Sequence, residues 1–139
     1  MIMENKRIIK AIINYIENNL DSQLNLDEIA KEAGYSKFHL NRVFSECVGC
    51  TIYKYIQMRR LTVAAEKLVY TKKPIMEIAY DANYSSQQSF TFAFRQLYGH
   101  PPQEYRARKV HISKFNKFKL KSNLVMLYKS AMKSEVFAA

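Results

Sequence analysis

The chain has no Trp, two Cys, three Gly and three Pro in 139 residues. Two cysteines cannot supply the disulfide framework on which small secreted domains rely. So few glycines and prolines leave little material for the turns of a many-stranded sheet, which favours a mostly helical chain. No apolar run reaches the roughly 18 residues of a membrane span, and no signal peptide is recognisable. Acid is scarce too: 12 Asp and Glu stand against 22 Lys and Arg, a net charge of +10. That balance points to nucleic acid or an anionic membrane surface as partner. A nucleophile–base pair, a metal-ligand set and a phosphate-binding glycine loop are all missing, so neither an enzyme nor a cofactor is expected. Cys47 and Cys50 form a lone pair three residues apart, and His39, His100 and His111 show no metal spacing around it. Packing or neutral surface suits that pair better than redox sensing or half a metal site. A reducing cytoplasm is the expected setting.

What is present is 48% apolar residues, with 8 Phe and 10 Tyr, enough for one domain or two very small ones. The positive charge is uneven. Residues 1–106 hold 14 Lys/Arg against 11 Asp/Glu, whereas residues 107–139 hold 8 against the single Glu135. Net charge alone therefore says little about the first three quarters of the chain.

One stretch occurs twice. Glu28-Ile29-Ala30-Lys31-Glu32-Ala33-Gly34-Tyr35-Ser36 returns as Glu77-Ile78-Ala79-Tyr80-Asp81-Ala82-Asn83-Tyr84-Ser85, an offset of 49. After one inserted residue the echo continues at 50: Leu40, Phe44, Gly49 and Tyr55 answer to Phe90, Phe94, Gly99 and Tyr105. Each copy reads as helix, tight turn, helix. Gly34 suits a turn with φ above zero, and Asn83 is the non-glycine residue type that tolerates one best.

The periodicity predicts a first helix over about 6–19, on Ile8, Ile9, Ile12, Ile13 and Ile16. A second helix follows an Asn25 cap with Glu28 three residues on. Ser36 caps a third to about Cys47, with Leu40, Val43, Phe44 and Cys47 inward. Thr51 caps a long helix over Ile52–Tyr70, with Ile56, Leu61, Ala64, Ala65 and Leu68 apolar. Two shorter helices, about 75–82 and 86–98, precede a turn at Pro102–Tyr105. The expected fold is all-α: helix-turn-helix subdomains at 6–50 and 72–106, joined by a linker helix at 51–71, then a basic extension at 107–139. That extension alternates basic and apolar residues at Lys114–Lys121 and carries an amphipathic stretch at Asn123–Met132. A mobile tail and a small packed addition are equally open for it, with an anionic membrane surface as a minor third option.

A helix-turn-helix lays its second helix in the major groove of DNA. With the apolar residues inward, the first unit turns Lys37, Phe38, Asn41 and Arg42 outward. Arg suits guanine O6/N7, Asn suits adenine N6/N7, and Phe38 suits a thymine methyl. Ser36 and Lys37 suit phosphates. The second unit turns Gln87, Gln88, Thr91 and Arg95 outward, with Ser86 at the helix start. Phe92 stands where Arg42 stands in the first unit. Arg59 and Arg60 on the linker helix are candidates for phosphate or acidic side-chain contacts. His39 is a lesser candidate for DNA. A linker helix of roughly 28 Å, plus the flanking units, can bridge the about 34–36 Å between successive major grooves on one face.

These residues resemble a known family. Residues 6–106 are similar to the DNA-binding domain of the AraC/XylS family of bacterial transcription factors, and within it to the small Mar–Sox–Rob group of stress regulators. The resemblance rests on Ala33-Gly34-Tyr35-Ser36-Lys37-Phe38-His39-Leu40-Asn41-Arg42-Val43-Phe44, with Phe38 and Asn41 where the group usually has Trp and Gln. It continues through Tyr55-Ile56 with Arg59-Arg60-Leu61, Ser86-Gln87-Gln88-Ser89-Phe90, and Pro101-Pro102-Gln103-Glu104-Tyr105-Arg106. It implies monomers on asymmetric sites near promoters, recruitment of RNA polymerase, activation of drug, oxidant and solvent resistance genes, and no small-molecule effector. It also implies base-facing roles for Phe38, Asn41, Arg42, Gln87 and Gln88. The chain departs at Phe92, where the group generally has Arg, and residues 107–139 have no clear counterpart.

Two rivals accompany the transcription-activator reading: a non-specific or architectural DNA binder, and a protein-interaction module that captures polymerase or another regulator. Removal of residues 107–139 should weaken binding to random DNA and flatten its salt dependence, read from titrations at two salt concentrations. An unchanged salt slope would assign the segment to packing, partners or solubility.

Overall fold

The computed structural model describes residues 2–108, with side chains from residue 4 onward. The expectations for Lys114–Lys121 and Asn123–Met132 lie outside the described residues. Seven helices form among those described: α1 (Ile2–Asn18), α2 (Leu26–Ala33), α3 (Lys37–Val48), α4 (Ile52–Tyr70), α5 (Ile75–Asp81), α6 (Gln87–Tyr98) and α7 (Pro102–Arg108). No strand occurs among them.

Polar caps fix where most of these helices begin. Asn25 Oδ1 accepts from the Asp27 N–H, Ser36 Oγ from His39, Thr51 Oγ1 from Lys54 and Ser86 Oγ from Ser89. Each satisfies a first-turn donor that has no partner within its helix. Gly34 (φ 74°) and Asn83 (φ 66°) both turn the chain left-handedly. In both, the next residue donates back into the preceding helix: Tyr35 N–H to Ala30 O and Tyr84 N–H to Ala79 O, each 3.0 Å. The two turns are thus the same device, and the residue that lengthens the second unit falls just after it, between Tyr84 and the Ser86 cap.

Three boundaries differ from the sequence expectation. α1 starts at Ile2, because nothing between Ile2 and Lys6 breaks a helix and Glu4 complements its first turn. The buried face of α3 ends on Val48, not Cys47, since Val48 follows Phe44 by four residues. α7 is a two-turn helix instead of a single turn, closed by Arg106 and Arg108 in its last turn and an Arg108–Glu104 pair at 3.0 Å.

The core is in two parts. The first gathers Ile9, Ile12, Ile13, Ile16, Ile29, Leu40, Val43, Phe44 and Val48 around Ile52, Tyr55, Ile56 and Met58 of α4. The second gathers Ile78, Ala79, Phe90, Phe94 and Tyr105 around Leu61, Ala64, Ala65 and Leu68 of the same helix. At about 100° per residue, the two sets of α4 residues lie on nearly opposite faces. α4 therefore closes the first unit with its N-terminal half and opens the second with its C-terminal half. The repeat survives in the packing: Phe44 meets Tyr55 edge-on at 5.7 Å, and Phe94 meets Tyr105 edge-on at 5.1 Å.

Arginines tie the frame together. Arg59 grips Glu17 of α1 with two parallel bonds, Nε–Oε2 at 2.9 Å and Nη2–Oε1 at 2.7 Å, and both side chains are largely buried. Burial opposes the Arg59 charge, but the bonds to Glu17 outweigh it and hold the guanidinium pKa above its ordinary value. Arg60 donates to Leu20 O and Ser22 O past the end of α1, and Arg106 to Leu68 O and Thr71 O at the end of α4. Arg60 thereby fixes the loop after α1, and Arg106 answers a carbonyl that the end of α4 leaves open. Asp81 of α5 takes Lys73 and Lys67 at 2.9 and 3.2 Å. The Lys73 bond first, then Lys67, depresses its pKa below 3.8, so this tie helps at neutral pH and is lost as acid protonates it.

Glu17→Ala should leave Arg59 buried without its counter-charge and cost about 3 kcal/mol or more of stability. Urea unfolding measures it, and a loss below about 1 kcal/mol would mark the pair as no stronger than a surface one.

Candidate nucleic-acid interface

The outward face of α3 is a shallow groove lined by Lys37, Phe38, Asn41, Arg42 and Ser45, with Leu26 of α2 at its edge. Phe38 is 80% exposed, a large apolar ring with no role in the core. Lys37 Nζ stands 5.8 Å from the centre of that ring and 3.7 Å from Asp27. Arg42 Nη2 lies 3.2 Å from His39 Nδ1, so a His39 with its proton on Nε2 accepts from the guanidinium. Tyr35 meets the His39 ring edge-on at 4.8 Å. Arg42 is thus braced from its own helix.

The outward face of α6 is a second groove, lined by Gln87, Gln88, Thr91, Phe92 and Arg95. Each of these residues lies 50 positions after one in the first groove: Lys37, Phe38, Asn41, Arg42 and Ser45. The two surfaces are built alike and filled differently. Gln87, Gln88 and Arg95 are exposed, Thr91 is partly covered, and Phe92 is 68% exposed. Inward, Phe90 and Phe94 are fully buried, so α6 cannot rotate without opening the second core.

The other sequence candidates are placed elsewhere. Ser36 and Ser86 sit at the N-termini of α3 and α6 with their oxygens capping. Arg59 and Arg60 lie outside both grooves; Arg59 binds Glu17, and Arg60 binds the carbonyls after α1. Asn41 lines the first groove, yet its Oδ1 accepts the Ile52 N–H at 3.1 Å. Ile52 is the first residue of α4, so this bond pins α3 to α4. Sequence reasoning placed Phe92 at the position of Arg42 but did not single out Ser45, one turn beyond Asn41 and Arg42, as a groove residue.

The family model for a helix-turn-helix domain matches residues 13–108. The regulatory protein SoxS of Salmonella typhimurium is 42% identical over 106 residues, covering 76% of this chain and 99% of SoxS. The chain belongs to the AraC/XylS family. The TetD protein of transposon Tn10 from Escherichia coli is 45% identical over 103 residues, 74% of this chain and 75% of TetD. Among solved structures, an AraC-type transcriptional regulator from Chromobacterium violaceum superposes with a TM-score of 0.71 at 28% identity, covering 76% of this chain and 95% of its own. As a member of this family the chain is a DNA-binding transcription regulator.

Neither cysteine belongs to the interface. Cys50 is buried in the first core, and burial pushes its pKa up to about 12. Burial, then the charge of Glu46, also raises Cys47, so both thiols stay protonated and unreactive at neutral pH. Among the described residues no group of His, Cys, Asp or Glu is arranged to hold a metal, and no helix is long and apolar enough to cross a membrane.

Asn41→Ala should cost the free protein about 1 kcal/mol by stranding the Ile52 N–H. Denaturant unfolding without DNA reads it; unchanged stability would mean that Asn41 serves the groove alone.

Proposed function

We propose that the protein is a sequence-specific transcriptional activator that binds asymmetric promoter sites as a monomer. α3 and α6 enter successive major grooves, held at that spacing by α4. Arg42 reads guanine, Gln87 and Gln88 read adenine, and Phe38 packs on a thymine methyl. Asn41 and Thr91 complete the two base-facing rows. Lys37, Arg95 and the helix starts at Ser36 and Ser86 hold phosphates and set the register. Bound to its promoter in the cytoplasm, the protein recruits RNA polymerase to stress or drug-resistance genes without a small-molecule effector. That last step rests on likeness to the Mar–Sox–Rob group.

The observation that carries the proposal is the pair of matched grooves with different fillings. A dimer of identical readers calls for a palindrome. Two unlike readers in one chain call for an asymmetric site. A non-specific binder needs no such differentiated, outward-facing set of Arg, Asn and Gln.

Selection from random duplexes should return one two-part motif. On that motif Arg42→Ala should cost about 1–3 kcal/mol and relax base choice at one position of the first part. An equal loss on scrambled DNA would show that Arg42 holds only phosphate.

A further inference from the structure

Phe92 is the one large apolar side chain among the residues lining the second groove, and the fold does not use it. It is 68% exposed on α6, between the buried Phe90 and Phe94, which do the packing. Its groove neighbours are Gln87, Gln88, Thr91 and Arg95, all polar. It occupies the place that Arg42 holds in the first groove, 50 residues earlier. Whatever α3 brings Arg42 to, α6 brings Phe92 to in the second half-site.

An arginine there takes guanine O6 and N7. A phenyl ring cannot accept or donate in that way, and a guanine edge against it would lose its water without replacement. The apolar feature of the major groove is the C5-methyl group of thymine, which a Phe can cover. We infer that Phe92 is a specificity-determining residue that reads a pyrimidine C5-methyl group, thymine or 5-methylcytosine, in the second half-site. This deepens, and rests on, the proposed two-groove function. The two halves of the target then differ in kind: a hydrogen-bonded guanine under Arg42, a methyl group under Phe92.

The test uses the full-length chain and the duplex it selects. Each thymine of the second half is replaced in turn by deoxyuridine, which deletes only the methyl group. One replacement should weaken wild-type binding about fourfold, the worth of one buried methyl-sized group. Phe92→Ala should bind the parent duplex more weakly by a similar factor and lose all sensitivity to that replacement. Its melting temperature should match wild type, because the ring is exposed. Sensitivity to thymines under Phe38 in the first half should persist in Phe92→Ala. A selected motif whose second half ignores every methyl deletion, or whose sensitivity survives in Phe92→Ala, overturns the Phe92 assignment alone. A protein that selects no motif overturns the two-groove function with it.

Discussion

The linker helix α4 has to be buried on two opposite sides at once, and the rest of the architecture follows from that. Ile52, Tyr55, Ile56 and Met58 close the first core, while Leu61, Ala64, Ala65 and Leu68 open the second. A helix buried in this way cannot bend or rotate to suit one unit without disturbing the other. Its 19 residues thus act as a spacer of roughly 28 Å with a set angle at each end. The Arg59–Glu17 pair locks one side of it to α1, and the Lys67–Asp81 pair ties the other side to α5. Under the proposed two-groove function, this rigidity decides which half-site separation is tolerated.

Around that helix the repeat divides into what is kept and what has changed. The left-handed turns at Gly34 and Asn83, the serine caps, and the paired aromatics Phe44–Tyr55 and Phe94–Tyr105 recur in both units. These residues set the angle between the helices of each unit. The groove residues diverge at every shared position: Lys37 to Gln87, Phe38 to Gln88, Asn41 to Thr91, Arg42 to Phe92, Ser45 to Arg95. A common frame thus carries two differently filled grooves, which is the physical basis for the proposed asymmetric target. Asn41, one of the changed positions, lines a groove and also bonds to the start of α4.

Much of the fold was legible in the sequence because its signals are local. A glycine or asparagine that permits positive φ, a serine or threonine that caps, and apolar residues three and four apart each declare themselves within a few positions. The outward rows of α3 and α6 follow from the inward ones by the same periodicity. What was not legible depends on distant neighbours. Arg59 and Glu17 are 42 residues apart, and nothing local distinguishes Arg59 from a phosphate ligand. The double burial of α4 blurs its apolar stripe, so its periodicity under-reports the buried set: Ile52, Tyr55, Met58, Arg59 and Thr62 were missed. Val48 and Cys50, not Cys47, finish the first core because the chain turns back after α3 at Gly49. The brace of Arg42 by His39 is local, but a histidine beside an arginine is too common a pattern to be read from sequence alone.

The most direct test of one chain spanning two grooves is a hydroxyl-radical footprint on the selected duplex, with the stoichiometry measured on the same complex. Two protected patches on one face, about 10 bp apart, with one protein per duplex, are the predicted result. A single protected patch, or two proteins per duplex, would contradict a monomer whose linker helix sets the spacing of its two reading helices.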